Sequence, residues 1–251
     1  LLASTIKNTQ LLRLDFGVFV LHAAQMASWI AVPFLLQQRY QVELSRHWVF
    51  YLGTMGMGFV LMLPLIILGE RRNKLKQALV AGIGILAVGE LLMYIAGSSQ
   101  HVFVLGMLSF FTGFNLLEAI LPSLVSKITP SGTRGTAMGV FSSSQFLGVF
   151  VGGAAGGYIA HSLGYAAIFL FAAVILAVWC LVASTMAQPK HWGTVIVDLA
   201  SYPSFGGDHT ALSKNCGGVE EITLFPEQHL MYLKVDKKVF CRDQLDEFLM
   251  V

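Results

Sequence analysis

The sequence has 251 residues, of which 55% are hydrophobic and only 12% are charged. About a quarter of the residues in an ordinary soluble domain are charged, so this composition excludes a typical soluble fold. The formal net charge of +2 is too small for a nucleic-acid-binding surface, and we expect the lipid bilayer to be the main partner.

Six apolar segments are long enough to span a membrane. A hydrocarbon core of about 30 Å requires roughly 20 apolar residues in a helix. The predicted helices cover residues 14–38, 47–69, 77–97, 101–127, 134–160 and 163–187. The sequence therefore predicts an all-α membrane bundle in residues 1–187.

Lys and Arg mark one side of this bundle. Cationic loops are retained in the cytoplasm during membrane insertion, and an alternating path places only Arg39 and Arg46 on the opposite side. The cytoplasmic set contains Lys7, Arg13, Arg71, Arg72, Lys74, Lys76, Lys127 and Arg134. We therefore expect both termini in the cytoplasm.

One face of the first predicted helix carries Asp15, His22, Gln25 and Trp29. Asp15 and His22 are candidate proton carriers, since an imidazole changes charge near neutral pH. Gln25 and Trp29 are candidates for lining a substrate cavity, because an indole ring can stack on a flat ligand. Alternatively, these side chains only make contacts between helices, with Asp15 at the membrane interface.

The loop at residues 69–76 is rich in charge. Arg71 and Arg72 could form a conformational latch by reaching carboxylates or helix carboxyl ends. The loop could equally be only a cytoplasmic anchor. The sequence does not separate the two interpretations.

Glu118 lies within an apolar stretch of the fourth predicted helix. A charge at that depth costs about 2.5 to 3.5 kcal/mol on insertion scales. The residue must therefore have a structural or functional role that offsets this cost. Phe111, Asn115, Glu118 and Pro122 recur at helical spacing and predict a stripe that lines a cavity. Glu118 is the leading candidate proton carrier, and Phe111 and Asn115 are candidate cavity residues. The alternative is a carboxyl group that only joins neighbouring helices.

A second acidic residue, Glu90, lies in the third predicted helix. Its own helix offers no polar partner at a spacing of three or four residues except Tyr94. We favour a structural role for Glu90 over a functional one.

Gly148, Gly152 and Gly156 recur at four-residue spacing in the fifth predicted helix. Small residues at this interval let two helix backbones approach closely. The pattern predicts a packing face and not a phosphate-binding loop.

The character of the sequence changes after residue 187, with a linker at 188–192 and a second domain at 193–251. The predicted elements are a strand at 194–199, a weak helix at 205–216, a hairpin of 219–225 with 230–235, and a helix at 241–250. This order predicts a small α+β ferredoxin-like cytosolic domain. The spacing of Cys216, Cys241, His209 and His229 lacks a metal-ligand pattern, and we predict neither metal nor cofactor.

Residues 69–76, 114–124, 135–140 and 144–148, together with the six helices, resemble the carboxyl-terminal half of a major facilitator superfamily transporter. The resemblance implies a parent of twelve helices, in which these are helices seven to twelve. Helices seven and ten of that parent line the central cavity, and they correspond to the first and fourth predicted helices of this chain. The resemblance therefore places the candidate site residues of these two helices beside the cavity. It also implies that Gly148–Gly157 faces an amino-terminal half. Because the chain opens with Leu1, we expect that half, or a second copy, as a partner.

These observations favour a secondary active transporter, specifically a proton-coupled efflux antiporter of small molecules or drugs in the bacterial inner membrane. The competing hypothesis is a membrane-anchored sensor or scaffold that acts through its ferredoxin-like domain. Polar residues on the first and fourth helices favour transport, because an anchor does not need a buried carboxyl group. We expect no enzyme, since the sequence shows no catalytic cluster near one interface.

Overall fold

The computed structural model describes residues 8–129, 131–188, 192–199, 202, 212, 216–225, 229–236 and 239–250. The chain divides into a helical unit, Leu1–Pro189, and a smaller unit, Lys190–Val251.

The described residues of the first unit form six α-helices, and all are long and apolar enough to cross a membrane. They are α1 Thr9–Gln38, α2 His47–Arg71, α3 Leu75–Ile95, α4 Gln100–Ile128, α5 Arg134–Leu163 and α6 Tyr165–Ser184. Helix α1 begins earlier than predicted because the Asn8 side chain accepts hydrogen bonds from the backbone of Gln10 and Leu11. The predicted six-helix bundle is confirmed.

The helices differ in how much of their surface the bundle covers. Helices α1 and α4 are the most buried, whereas α2 and α5 are the least. Helix α1 packs mainly on α5 and α6, and α4 packs mainly on α3 and α2. The two polar helices identified in the sequence therefore lie inside the bundle, with α2 and α5 at its margins.

The glycines of α5 lie against α1 of the same bundle. A Cβ atom on Gly156 would lie 2.9 Å from the Cα atom of Ala27, and Cβ atoms on Gly148 and Gly152 would meet the carbonyl oxygens of Phe19 and Ala23. The expectation that these glycines face an amino-terminal half is therefore wrong. Their spacing predicts a close helix neighbour without specifying which helix it is.

The second unit contains strands β1 Trp192–Asp198, β2 Val219–Phe225 and β3 Leu230–Asp236, and helix α7 Arg242–Met250. The sheet order is β1-β3-β2, with β3 antiparallel to both neighbours. Val197, Met231, Leu233, Val235, Leu245 and Leu249 are buried in its core. This arrangement confirms the ferredoxin-like prediction. Most of the weak helix predicted at 205–216 lies outside the described residues.

Candidate functional site

Three helices contribute polar side chains to one cluster, which consists of His22 on α1, Glu118 on α4 and Gln145 on α5. The Nε2 atom of His22 lies 3.3 Å from Glu118 Oε1 and 2.8 Å from Gln145 Nε2. His22 is buried, whereas the Glu118 side chain is 39% exposed. The carboxyl group therefore lies on the open side of the cluster.

The orientation of the His22 ring is fixed from within α1. Its Nδ1 atom lies 3.0 Å from the carbonyl oxygen of Val18. A carbonyl can only accept a hydrogen bond, so Nδ1 carries a proton and donates it. The ring of Phe114 stands edge-on to the imidazole, with 5.9 Å between centroids. Only Nε2, which faces Glu118, is left to gain or lose a proton.

An aromatic group lies beside the predicted cavity residues. Trp29 stacks on Tyr51 with 5.2 Å between ring centroids and 6° between planes, and Phe111 meets Trp29 edge-on at 6.4 Å. The Asn115 side-chain amide donates to the carbonyl oxygen of Met55 at 3.4 Å. Tyr51 therefore covers one face of the indole.

The other two candidates on α1 lie apart from the cluster. Asp15 is buried and precedes His22 by seven residues, which is about 10 Å along a helix. Gln25 is half-buried. Among the described residues, neither side chain has a hydrogen-bond partner or an ion pair. The structure therefore joins His22 to Glu118, but it does not bring Asp15 to them.

Glu90 has a partner that the sequence analysis missed. The Ser28 hydroxyl on α1 donates to Glu90 Oε1 at 2.7 Å. The Glu90 side chain is 0% exposed, and its Oε2 atom has no hydrogen-bond partner within the described part of the chain. Ser28 also lines an apolar pocket with Trp29, Tyr51, Met107, Phe110 and Phe111. The bond links α1 to α3 beside the aromatic group.

The charged loop after α2 forms an ion pair through Glu70. The Lys127 ammonium group donates to both carboxylate oxygens of Glu70, at 2.9 and 3.0 Å. Arg71 and Arg72 are exposed, and the structure gives their side chains no hydrogen bond or ion pair with other described residues. The latch assigned to these two arginines stays a prediction.

Comparison with known proteins establishes the family. Residues 14–201 match the family model described as the Major Facilitator Superfamily. The chain belongs to the Major Facilitator Superfamily. This result confirms the resemblance seen in the sequence.

Three relatives show how far the similarity within the superfamily extends. The chain is 36% identical to the inner membrane transport protein YajR of Escherichia coli (strain K12), over 98% of this chain and 54% of that protein. It is 27% identical to an uncharacterized transporter of Buchnera aphidicola subsp. Baizongia pistaciae, over 69% of this chain and 44% of the relative. It is 30% identical to multidrug resistance protein MdtH of Aeromonas hydrophila subsp. hydrophila, over 52% of this chain and 34% of the relative. The chain spans about half the length, or less, of these curated relatives.

In this major facilitator protein, the missed partners share one property. Gln145 is 123 residues from His22, Ser28 is 62 residues from Glu90, and Lys127 is 57 residues from Glu70. Helical spacing detects neighbours only within one helix. The only signal in the sequence for these three pairs was that polar residues occur within or beside apolar runs.

Proposed function

We propose that this chain forms half of a proton-coupled antiporter that exports small apolar or cationic molecules across the bacterial inner membrane. The pairing of His22 Nε2 with Glu118 Oε1 at 3.3 Å, inside membrane-spanning helices, carries the proposal. Ionisable residues at this depth are costly and typically mark ion or substrate pathways. A relative named as a multidrug resistance protein supports the substrate class.

The pair supports proton coupling because its net charge changes when one proton leaves. A protonated His22 beside an ionised Glu118 is neutral overall, whereas loss of the Nε2 proton leaves one negative charge. That charge favours a conformation in which the carboxylate contacts water or a cationic ligand. Proton and substrate then compete for the same carboxylate, which is the requirement for antiport. Asp15 is the second candidate proton carrier on this half.

An aromatic group on α1, α2 and α4, about two helical turns from His22 and Glu118, supports an aromatic or cationic substrate. Trp29, Tyr51 and Phe111 present π-faces and edges, which bind flat rings and cations. Gln25 on α1 and Asn115 on α4 add hydrogen-bonding groups. Opening of the Trp29–Tyr51 stack would expose the indole to a ligand.

The margins of the bundle support a second set of helices as partner. Phe146 and Phe150 on α5 are 71% and 72% exposed, and Leu52 and Met55 on α2 are also exposed. Apolar side chains on these faces can contact lipid or further helices. The partner is an amino-terminal six-helix half or a second copy.

In this proposal both termini lie in the cytoplasm, because the Lys and Arg residues of the loops fall mainly on that side.

Transport by the complete protein in proteoliposomes tests the proposal. Ethidium, a flat aromatic cation, serves as the probe under an imposed pH gradient. Glu118→Gln should abolish gradient-driven ethidium accumulation and leave weaker ethidium binding that no longer depends on pH, because the amide preserves size and hydrogen bonding but carries no charge and does not titrate. Glu43→Gln, at an exposed position outside the spans, is the matched control and should transport normally. Accumulation by Glu118→Gln with an unchanged dependence on the gradient would contradict the proposal.

A further inference from the structure

Gln145 contacts the ring nitrogen of His22 that also faces Glu118. Its amide nitrogen lies 2.8 Å from His22 Nε2, and its side chain is half-buried on α5. Gly148, one turn further along α5, meets the backbone of α1 at Phe19. The close approach of the two helices therefore holds the amide against the ring.

The direction of this hydrogen bond depends on whether His22 is protonated. An amide NH2 group can only donate, so this contact is a hydrogen bond only when Nε2 carries a lone pair and the ring is neutral. The Nδ1–H donated to Val18 supplies the matching tautomer. If Nε2 gains a proton, its N–H faces the amide NH2, and two donors oppose each other. Rotation of the terminal amide, whose torsion is broad and roughly two-fold, removes this conflict by presenting the carbonyl oxygen.

We infer that Gln145 is a positioning residue that senses the protonation of His22: its amide donates to the neutral ring and turns to accept from the protonated ring. The inference rests on the proposed proton site and adds a third member to it. The ring has a single Nε2–H to donate, so Gln145 and Glu118 compete for it. The amide thereby limits how strongly the proton is held between His22 and Glu118.

The other ionisable groups near His22 are few in the described part of the chain. Helix α4 presents Glu118 to the ring, and α5 presents the uncharged amide. The remaining ionisable residues of the elements packed on α1 lie towards the helix ends: His101 and Lys127 on α4, Arg134, Tyr158 and His161 on α5, and Tyr165 and Cys180 on α6. On α1 itself, Arg13 and Asp15 lie nine and seven residues away. The amide contact is therefore governed by His22 and Glu118.

Infrared difference spectroscopy of the intact protein in lipid bilayers tests the inference. Glutamine labelled with carbon-13 at the side-chain carbonyl identifies the amide band. We expect a carbonyl band that shifts to lower frequency as the pH falls, because the oxygen becomes a hydrogen-bond acceptor. This band should disappear in Gln145→Met and persist in Gln37→Met, an exposed control on α1. A Gln145 band that does not respond to pH would overturn the inference.

The pH dependence of transport provides a second measurement. Substitution of a purely structural residue would not shift it. Gln145→Met removes the hydrogen bond that stabilises the neutral ring, and it removes the group that competes with Glu118 for the Nε2 proton. The protonated ring paired with Glu118 is therefore stabilised relative to the neutral ring. We expect the midpoint of the pH profile of ethidium transport to move measurably towards higher pH. Reduced transport at every pH with an unmoved profile would contradict the inference. The Glu118→Gln assay would still test proton coupling independently.

Discussion

Lys127 at the end of α4 holds Glu70 at the end of α2 through two charge-assisted hydrogen bonds of 2.9 and 3.0 Å. Both side chains are partly exposed, at 36% and 47%. An ion pair with this exposure contributes about 0 to 1 kcal/mol. It cannot dominate stability, but it is large enough to change the populations of two conformations.

The first prediction is that Lys127→Met changes the balance of conformations and leaves the thermal stability close to that of the wild type. A loss of up to about 1 kcal/mol changes a two-state ratio by up to about fivefold. Spin-label distance measurements between α2 and α4 would show the altered populations. The exchange Glu70→Lys with Lys127→Glu should restore the wild-type ratio. If the double exchange restores the wild-type ratio of conformations no better than Glu70→Lys or Lys127→Glu alone, this ion pair does not set the ratio.

The second prediction concerns the buried bond between Ser28 and Glu90. Ser28→Ala removes the single described hydrogen bond to a fully buried carboxyl group, which should cost about 1 to 3 kcal/mol. Thermal unfolding in detergent measures the loss. Ser28→Ala with Glu90→Met should recover part of it, because both polar partners are then gone. Ser45→Ala, at an exposed position, is the control. A Ser28→Ala protein as stable as this control would show that the bond contributes nothing.

The third prediction compares two glycines of α5. A Cβ atom on Gly152 would meet the backbone of Ala23, whereas one on Gly157 would have nothing within 4 Å. Gly152→Ala should destabilise the bundle by about 1 to 3 kcal/mol through overpacking. Gly157→Ala should be neutral or stabilising by up to about 1 kcal/mol, because alanine favours a helix interior. Thermal unfolding of both variants would decide, and equal stabilities would argue against the close α1–α5 contact.

The fourth prediction concerns orientation. The asymmetry of Lys and Arg predicts a cytoplasmic carboxyl terminus. Green fluorescent protein fused after Val251 should fluoresce, and alkaline phosphatase fused at the same position should be inactive. Active phosphatase with no fluorescence would reverse the topology.

Local patterns in the sequence predicted the helices and strands well. The apolar runs around α2 and α4 are long enough to identify spans, and the alternation at Leu230–Asp236 identifies β3. These signals are local, since helices and strands repeat every few residues. The same reasoning identified His22 and Glu118 as unusual residues in apolar helices.

The partners of those residues could not be predicted in the same way. Hydropathy shows that a helix is buried in apolar surroundings, but lipid and a neighbouring helix are equally apolar. The sequence therefore could not show that Gly152 contacts α1, or that Gln145 lies beside His22. The latch assigned to Arg71 and Arg72 stays a prediction, and the sequence could not show that Glu70 in the same loop pairs with Lys127.

The most direct test of the His22–Glu118 proton site is proton release when substrate binds. Ethidium is added to the intact, lightly buffered transporter in detergent, and a pH indicator records the protons released. If substrate and proton compete for Glu118, the wild type should release about one proton for each ethidium bound, and Glu118→Gln should bind ethidium without release. Equal release by the wild type and Glu118→Gln, or none from the wild type, would contradict the account.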